Sequence, residues 1–165
     1  MSERSTVNTW LKGLWTPTSA IELDASGSCA IEVDPVTLCY IEVPPGEGRV
    51  DFFCPVAPLP ETDATDEHER GALFARCLAM NLPGGASRGG SLAVDLGLTA
   101  LVLRFSRPLE GMDGVVFGNT FGGVIDAVRA IRRELYGEDG TEVIGDGIRV
   151  GGTQHPGLDP GWIRG

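Results

Sequence analysis

The side chains able to do covalent or metal chemistry in this 165-residue chain are few, and their spacing is poor for it. Gly85-Ala86-Ser87-Arg88-Gly89 has the lettering of a nucleophile elbow, which needs its serine at a strand-to-helix turn. Here the pattern before it is helical and the pattern after it is a strand, the reverse order. The general base would have to be His155, from a glycine-rich terminal stretch. His68 and His155 are the two histidines, and neither has zinc-ligand neighbours at workable spacing. Cys29, Cys39, Cys54 and Cys77 are widely and irregularly spaced, each in an apolar run where a free thiol behaves as a small hydrophobe. A reduced protein is the expectation. Glu61, Asp63, Asp66, Glu67 and Glu69 lack the spacing and central glycine of a calcium loop, so they read as a solvated charge run. Gly145-Asp146-Gly147 is not followed by a helical pattern, which removes a dinucleotide loop. The reading is a binding protein and not an enzyme, with no metal and no cofactor.

Charge narrows the partner. Asp and Glu number 23 against 13 Lys and Arg, a net charge of −10, with a pI of about 4.5. An acidic surface repels the phosphate backbone and anionic membranes, so neither nucleic acid nor membrane is expected. It favours encounter with a basic or neutral polypeptide. A hydrophobic fraction of 42% agrees with a globular chain rather than a disordered one. Residues 1–15 have no charged-then-apolar leader, and no apolar run reaches membrane-spanning length, so a cytoplasmic location is expected.

The elements that would carry such binding follow from periodicity. Val7, Trp10, Leu11 and Leu14 fall at i, i+3, i+4 and i+7, one face of a short helix, with Ser5 as its cap and Pro17 as its stop. The period then switches to two. Ile21 and Leu23, then Cys29, Ile31 and Val33, then Cys39, Ile41 and Val43, then Val50, Phe52, Cys54 and Val56 predict short strands separated by turns, an antiparallel meander. Leu38, Tyr40 and Phe53 lie on the opposite strand face. Acidic residues up to Glu69 suit a helix N-terminus. Leu73, Phe74, Cys77, Leu78 and Asn81 trace the next helix, broken by Pro83-Gly84-Gly85 and a small-residue loop through Gly90. Two strands follow, around Leu92 and Val94 and around Leu101, Leu103 and Phe105. A long helix then runs through Phe117, Phe121, Val124, Val128, Ile131 and Leu135. Its early glycines, Gly118, Gly122 and Gly123, weaken it and place its start near Asn119.

Strands grouped together between helices predict an α+β fold: an antiparallel twisted sheet with helices, in the order α-β-β-β(β)-α-β-β-α. The domain is expected over residues 1–137. Residues 138–165 are expected to be a glycine-rich acidic tail, with too few large apolar residues to fold alone.

Several stretches carry a resemblance. Leu78-Ala79-Met80-Asn81, the glycines Gly84-Gly85 and Gly89-Gly90, then Ser91-Leu92-Ala93-Val94-Asp95 and Leu101-Val102-Leu103 resemble the class I type III secretion effector chaperones, the Tir chaperone-like family. Ile21-Glu22-Leu23-Asp24 and Gly27-Ser28-Cys29-Ala30-Ile31 are similar to that family's first hairpin. The resemblance covers about residues 5–137. It implies a homodimer that binds the N-terminal segment of a secreted effector and keeps it soluble and secretion-competent. Trp10, Leu14, Trp15, Leu38, Tyr40 and Phe53 are the candidate effector-binding residues. Leu73, Cys77, Leu78, Leu92 and Val94 are the candidate dimer interface. The alternative is a non-catalytic adaptor of the same fold that binds a folded partner outside secretion.

Overall fold

The computed structural model describes residues 2–14, 21–59 and 67–137. Helix α1 spans Glu3–Leu14. Its cap is Ser2, not Ser5: the Ser2 hydroxyl accepts the Ser5 N–H at 3.2 Å, and Ser5 already lies inside the first turn. Val7 and Leu11 are fully buried, with Trp10 and Leu14 half-buried beside them. The strand expected at Ile21–Leu23 does not form. Side chains of α1 take its backbone groups instead: Asn8 Oδ1 accepts from Leu23 N–H at 2.8 Å, and Arg4 donates to the Leu23 carbonyl at 3.0 Å.

Strands β1 (Ser28–Asp34), β2 (Thr37–Glu42), β3 (Arg49–Pro58), β4 (Ser91–Asp95) and β5 (Ala100–Pro108) form one antiparallel sheet in the order β1-β2-β3-β5-β4. Helix α2 (Glu67–Met80) lies between β3 and β4 in sequence, and α3 (Gly114–Tyr136) is the last of the described elements. This is the α+β architecture that the grouped strands imply. Alternation sends Ile31, Cys39, Ile41, Phe52, Cys54 and Leu103 to one face, where they are buried under α1 and α3. Phe52 anchors that core, with its ring centroid 5.8 Å from Phe117 and 6.4 Å from Phe121.

Helix α3 starts at Gly114, five residues before Asn119. Asp113 caps it by accepting the Val116 N–H at 2.8 Å. Its early glycines have a packing reason. A Cβ on Gly114 would stand 3.1 Å from the Trp10 indole, and one on Gly118 would stand 3.0 Å from Leu14. Each glycine costs about 1 kcal/mol of helix propensity. In return α1 lies close enough to α3 for Trp10 to reach Phe117, centroids 5.6 Å apart.

The segment from Asn81 to Gly90 is a chain of hydrogen-bonded turns rather than a loose loop. A Cβ on Gly85 would collide with the Met80 carbonyl, and one on Gly90 would stand 2.9 Å from the Arg104 carbonyl. Asn81 acts as a strand extension. Its Oδ1 accepts from Leu92 N–H at 2.7 Å and its Nδ2 donates to the Leu92 carbonyl at 3.1 Å, joining the end of α2 to β4. Losing both bonds leaves two backbone groups without partners, so Asn81→Ala lowers stability by about 2 kcal/mol. Urea denaturation of the two proteins checks this.

Candidate functional site

The face of the sheet turned away from α1 and α3 carries Leu38, Tyr40 and Glu42 from β2, Arg49, Asp51 and Phe53 from β3, and Arg104 from β5. Tyr40 lies opposite Phe53, Glu42 opposite Asp51, and Phe53 opposite Arg104. The Arg104 guanidinium sits 5.4 Å from the Phe53 ring centroid, a cation–π distance. Phe53 is covered to 8% exposure, while Leu38 and Tyr40 stay half-buried. Asp51 is fully buried. Its Oδ2 accepts from Arg49 Nε at 2.9 Å and lies 3.8 Å from Arg104, and its Oδ1 has no hydrogen-bond partner among the described residues. Burial pushes the Glu42 carboxyl above its usual range, and the Asp51 charge across the strand adds to this. Burial also raises the Tyr40 phenol. The face therefore mixes aromatic surface with a strongly paired charge network. Such a surface can hold a polypeptide but has no nucleophile–base pair.

Among the described strands the sheet ends at β1 on one side, which is open, and at β4 on the other, where Asn81 already bonds Leu92. An open edge can accept a further strand through backbone hydrogen bonds. The β4 end is also apolar. Leu78 is 67% exposed, Leu82 64%, Val94 41% and Leu96 81%.

The residues singled out for chemistry do not converge. Ser87 is buried, and its hydroxyl donates to the Met80 carbonyl at 2.8 Å, which makes it a tie within the turn. His68 is exposed on α2. His155, Glu61, Asp63 and Asp66 lie outside the described residues. All four cysteines are free. Burial, with the nearby Asp24 charge, pushes the Cys29 thiol up to about 12, so it keeps its proton. Among the described residues no group of three or more His, Cys, Asp or Glu could hold a metal ion, and no helix is long and apolar enough to cross a membrane.

The model of the Tir chaperone protein (CesT) family matches residues 13–132. The chain belongs to this family. The fold agrees with solved type III secretion structures. A chain of the HopA1–SchA chaperone–effector complex matches with a TM-score of 0.56 at 15% identity, covering 76% of this chain and 88% of that one. A chain of the ExsC–ExsE complex matches with a TM-score of 0.58 at 14% identity, covering 81% and 96%. A chain of the complex of the Yersinia pestis type III secretion chaperone SycH with a stable fragment of YscM2 matches with a TM-score of 0.52 at 16% identity, covering 78% of this chain and 96% of that one. Comparison with curated protein sequences finds no match.

In this Tir chaperone family member the candidate residues fall into separate places. Trp10 and Leu14 pack against α3 at its glycines and are half-buried. Leu38, Tyr40 and Phe53 share the sheet face turned away from α1 and α3, and Trp15 lies outside the described residues. Of the second set, Leu73 is half-buried, Cys77 and Leu92 are buried, and Leu78 and Val94 are exposed at the β4 end. The sequence reading missed Arg104, whose position opposite Phe53 depends on pairing β5 with β3 rather than on local spacing. It also missed Arg132, which sits four residues after Val128 on the apolar stripe of α3. A charge at a core position of a helix is a visible signal.

Arg132 belongs to a lock between α3 and the β1–β2 turn. Its Nη1 donates to Thr37 Oγ1 at 2.9 Å, and Arg129 donates to Asp34 at 3.1 Å. Partial burial opposes the Asp34 charge, but hydrogen bonds from Thr37, Arg129 and the Val36 N–H outweigh it and hold the carboxyl below its usual value. A depressed native value contributes stability above the unfolded value, near pH 4, and that contribution is lost as pH falls through the native one. Asp34→Asn therefore lowers the urea midpoint at pH 7 and flattens its fall below about pH 4. An unchanged pH profile would remove Asp34 from the lock.

Proposed function

We propose that this protein is a non-catalytic type III secretion chaperone. It binds the N-terminal segment of a secreted effector in an extended form and keeps it soluble and competent for export. The observation that carries the reading is family membership over residues 13–132, together with a sheet that keeps one face free of described helices and an open β1 edge. Related folds come from complexes of a chaperone with an effector. Binding needs no cofactor. An extended segment adds backbone hydrogen bonds at an edge and sets apolar side chains on the half-exposed Leu38 and Tyr40. Trp10 and Leu14, half-buried against α3 on the other side of the sheet, offer a separate apolar contact. Phe53 supports the face from beneath Arg104 rather than lying open to cargo.

The protein acts as a homodimer in this reading. Leu78, Leu82, Val94 and Leu96, on α2, after it, on β4 and in the turn beyond it, are each exposed and offer apolar surface of the kind a second copy covers. Leu73, Cys77 and Leu92 would back that interface from beneath. In this reading the protein works in the cytoplasm, where the effector is made.

Tyr40→Asp tests the cargo face. Tyr40 is half-buried, so the variant keeps its fold and its oligomeric state, and it weakens effector capture by at least about tenfold, one hot-spot residue's worth. Unchanged capture with an intact circular-dichroism spectrum would remove the face from the proposal.

A further inference from the structure

On the helix side of the sheet, beyond the α1–α3 contact, a groove of about 340 Å³ opens between β5, α3 and the turn before β4. Phe105 and the buried Val124 and Ala127 make its apolar floor, and Val116, 44% exposed, stands at its rim. Its charges are Arg88 and Arg107, and no carboxylate lines it. That composition is the opposite of the chain's −10 balance.

The two arginines are placed where their side chains line the groove. Arg107 stacks over Phe105 at 5.5 Å from the ring centroid. A stacked guanidinium keeps its edge N–H groups open, the geometry that grips a carboxylate with two parallel bonds. The Arg88 side chain makes no hydrogen bond or ion pair with any described residue. Its backbone is held at φ +50, in the left-handed region that a long side chain enters at a cost of about 1 kcal/mol. The turn fixes it there through Arg88 N–H to the Gly85 carbonyl at 3.1 Å and Gly90 N–H to the Ser87 carbonyl at 2.9 Å. On the other face of the sheet Arg49 and Arg104 are already spent on Asp51. The two sides of one sheet therefore offer different chemistry.

We infer that this groove is a second docking site, for an acidic–apolar stretch of the cargo polypeptide, with a carboxylate held by Arg88 and Arg107 and an apolar side chain on Phe105 and Val124. The inference rests on the cargo-binding reading above. It adds that a chaperone whose overall charge repels acidic segments holds one built exception.

The test uses the full chain and a fluorescein-labelled ten-residue probe of alternating Glu and Leu, with a Lys-for-Glu version as control, read by fluorescence anisotropy. The Glu probe binds saturably and the Lys probe does not. The double variant Arg88→Gln and Arg107→Gln weakens the Glu probe at least about tenfold, and Tyr40→Asp leaves it unchanged. Both arginines are exposed, so the double variant folds, and circular dichroism confirms it. Absence of saturable Glu-probe binding overturns the site, including the case in which a second copy or the chain's own residues 138–165 already fill the groove. Undiminished binding in the double variant overturns it equally. Failure here leaves Tyr40-dependent effector capture standing. Failure of the unaltered protein to capture any effector, with Glu-probe binding intact, would sink the chaperone reading alone.

Discussion

Replacing Arg132 by leucine lowers the stability of the folded chain by about 3 kcal/mol or more, the largest loss expected from any single change outside the apolar core. The reason lies in β3. Its register to β5 shifts between Pro55 and Ala57, and its paired register with β2 covers only Asp51–Phe53. The carbonyls of Pro55 and Val56 are thus left over in a buried place. Arg132 satisfies both, through Nη2 to Pro55 and Nε to Val56, each at 3.0 Å, and its third donor holds Thr37. Burial lowers the Arg132 pKa, the direction expected for a cation held away from water. Leucine fits the volume but leaves the carbonyls without a donor. Lysine restores the charge with a point donor and recovers less than half of the loss. Urea midpoints with unchanged m-values decide the matter; a loss below about 1 kcal/mol would show that the bulge finds other partners.

If the protein is the homodimer proposed above, aspartate at both Leu78 and Val94 yields a monomer with little change in the fold. Both side chains are exposed, so the monomer loses no core contact. In the proposed dimer each aspartate would be desolvated against an apolar partner, and twofold symmetry presents the change twice. About 2 kcal/mol for each position gives about 4 kcal/mol, a weakening of roughly a thousandfold. Sedimentation velocity across a protein dilution series reads this directly. A dimer that persists in the double variant would place the interface elsewhere.

The fold was legible where periodicity and turn residues agree. The alternation at Cys39–Val43 and Val50–Val56 marked the sheet, and the long stripe through Phe117 and Leu135 marked α3. Two misreadings share one cause, the reading of local propensity where a distant contact decides. Gly118 looks like a weakness until Leu14 is seen lying on it. Ile21–Leu23 looks like a strand until Asn8 and Arg4 are seen holding its backbone. The loop at Gly85 and Gly90 is glycine-rich because backbone passes close by, not because the chain must flex there.

The candidate site was legible as a set of apolar residues on the second strand face, but not in its exposure. Tyr40 and Phe53 have the same period and face. Arg104 covers Phe53, and it comes from a strand some fifty positions later, in a register that sequence spacing does not reveal. Leu78 and Cys77 adjoin in one helical stripe, yet one is exposed and the other buried, because α2 turns a narrow face to the domain.

The most direct test of the central claim is to capture the tagged full-length protein from its native cells in mild salt, and then to map what co-elutes by limited proteolysis and mass spectrometry. The account predicts one larger protein, protected from protease over its N-terminal segment alone and lost from the Tyr40→Asp eluate. A folded partner protected elsewhere, or equal recovery with the variant, would contradict it and leave the family fold without the proposed cargo face.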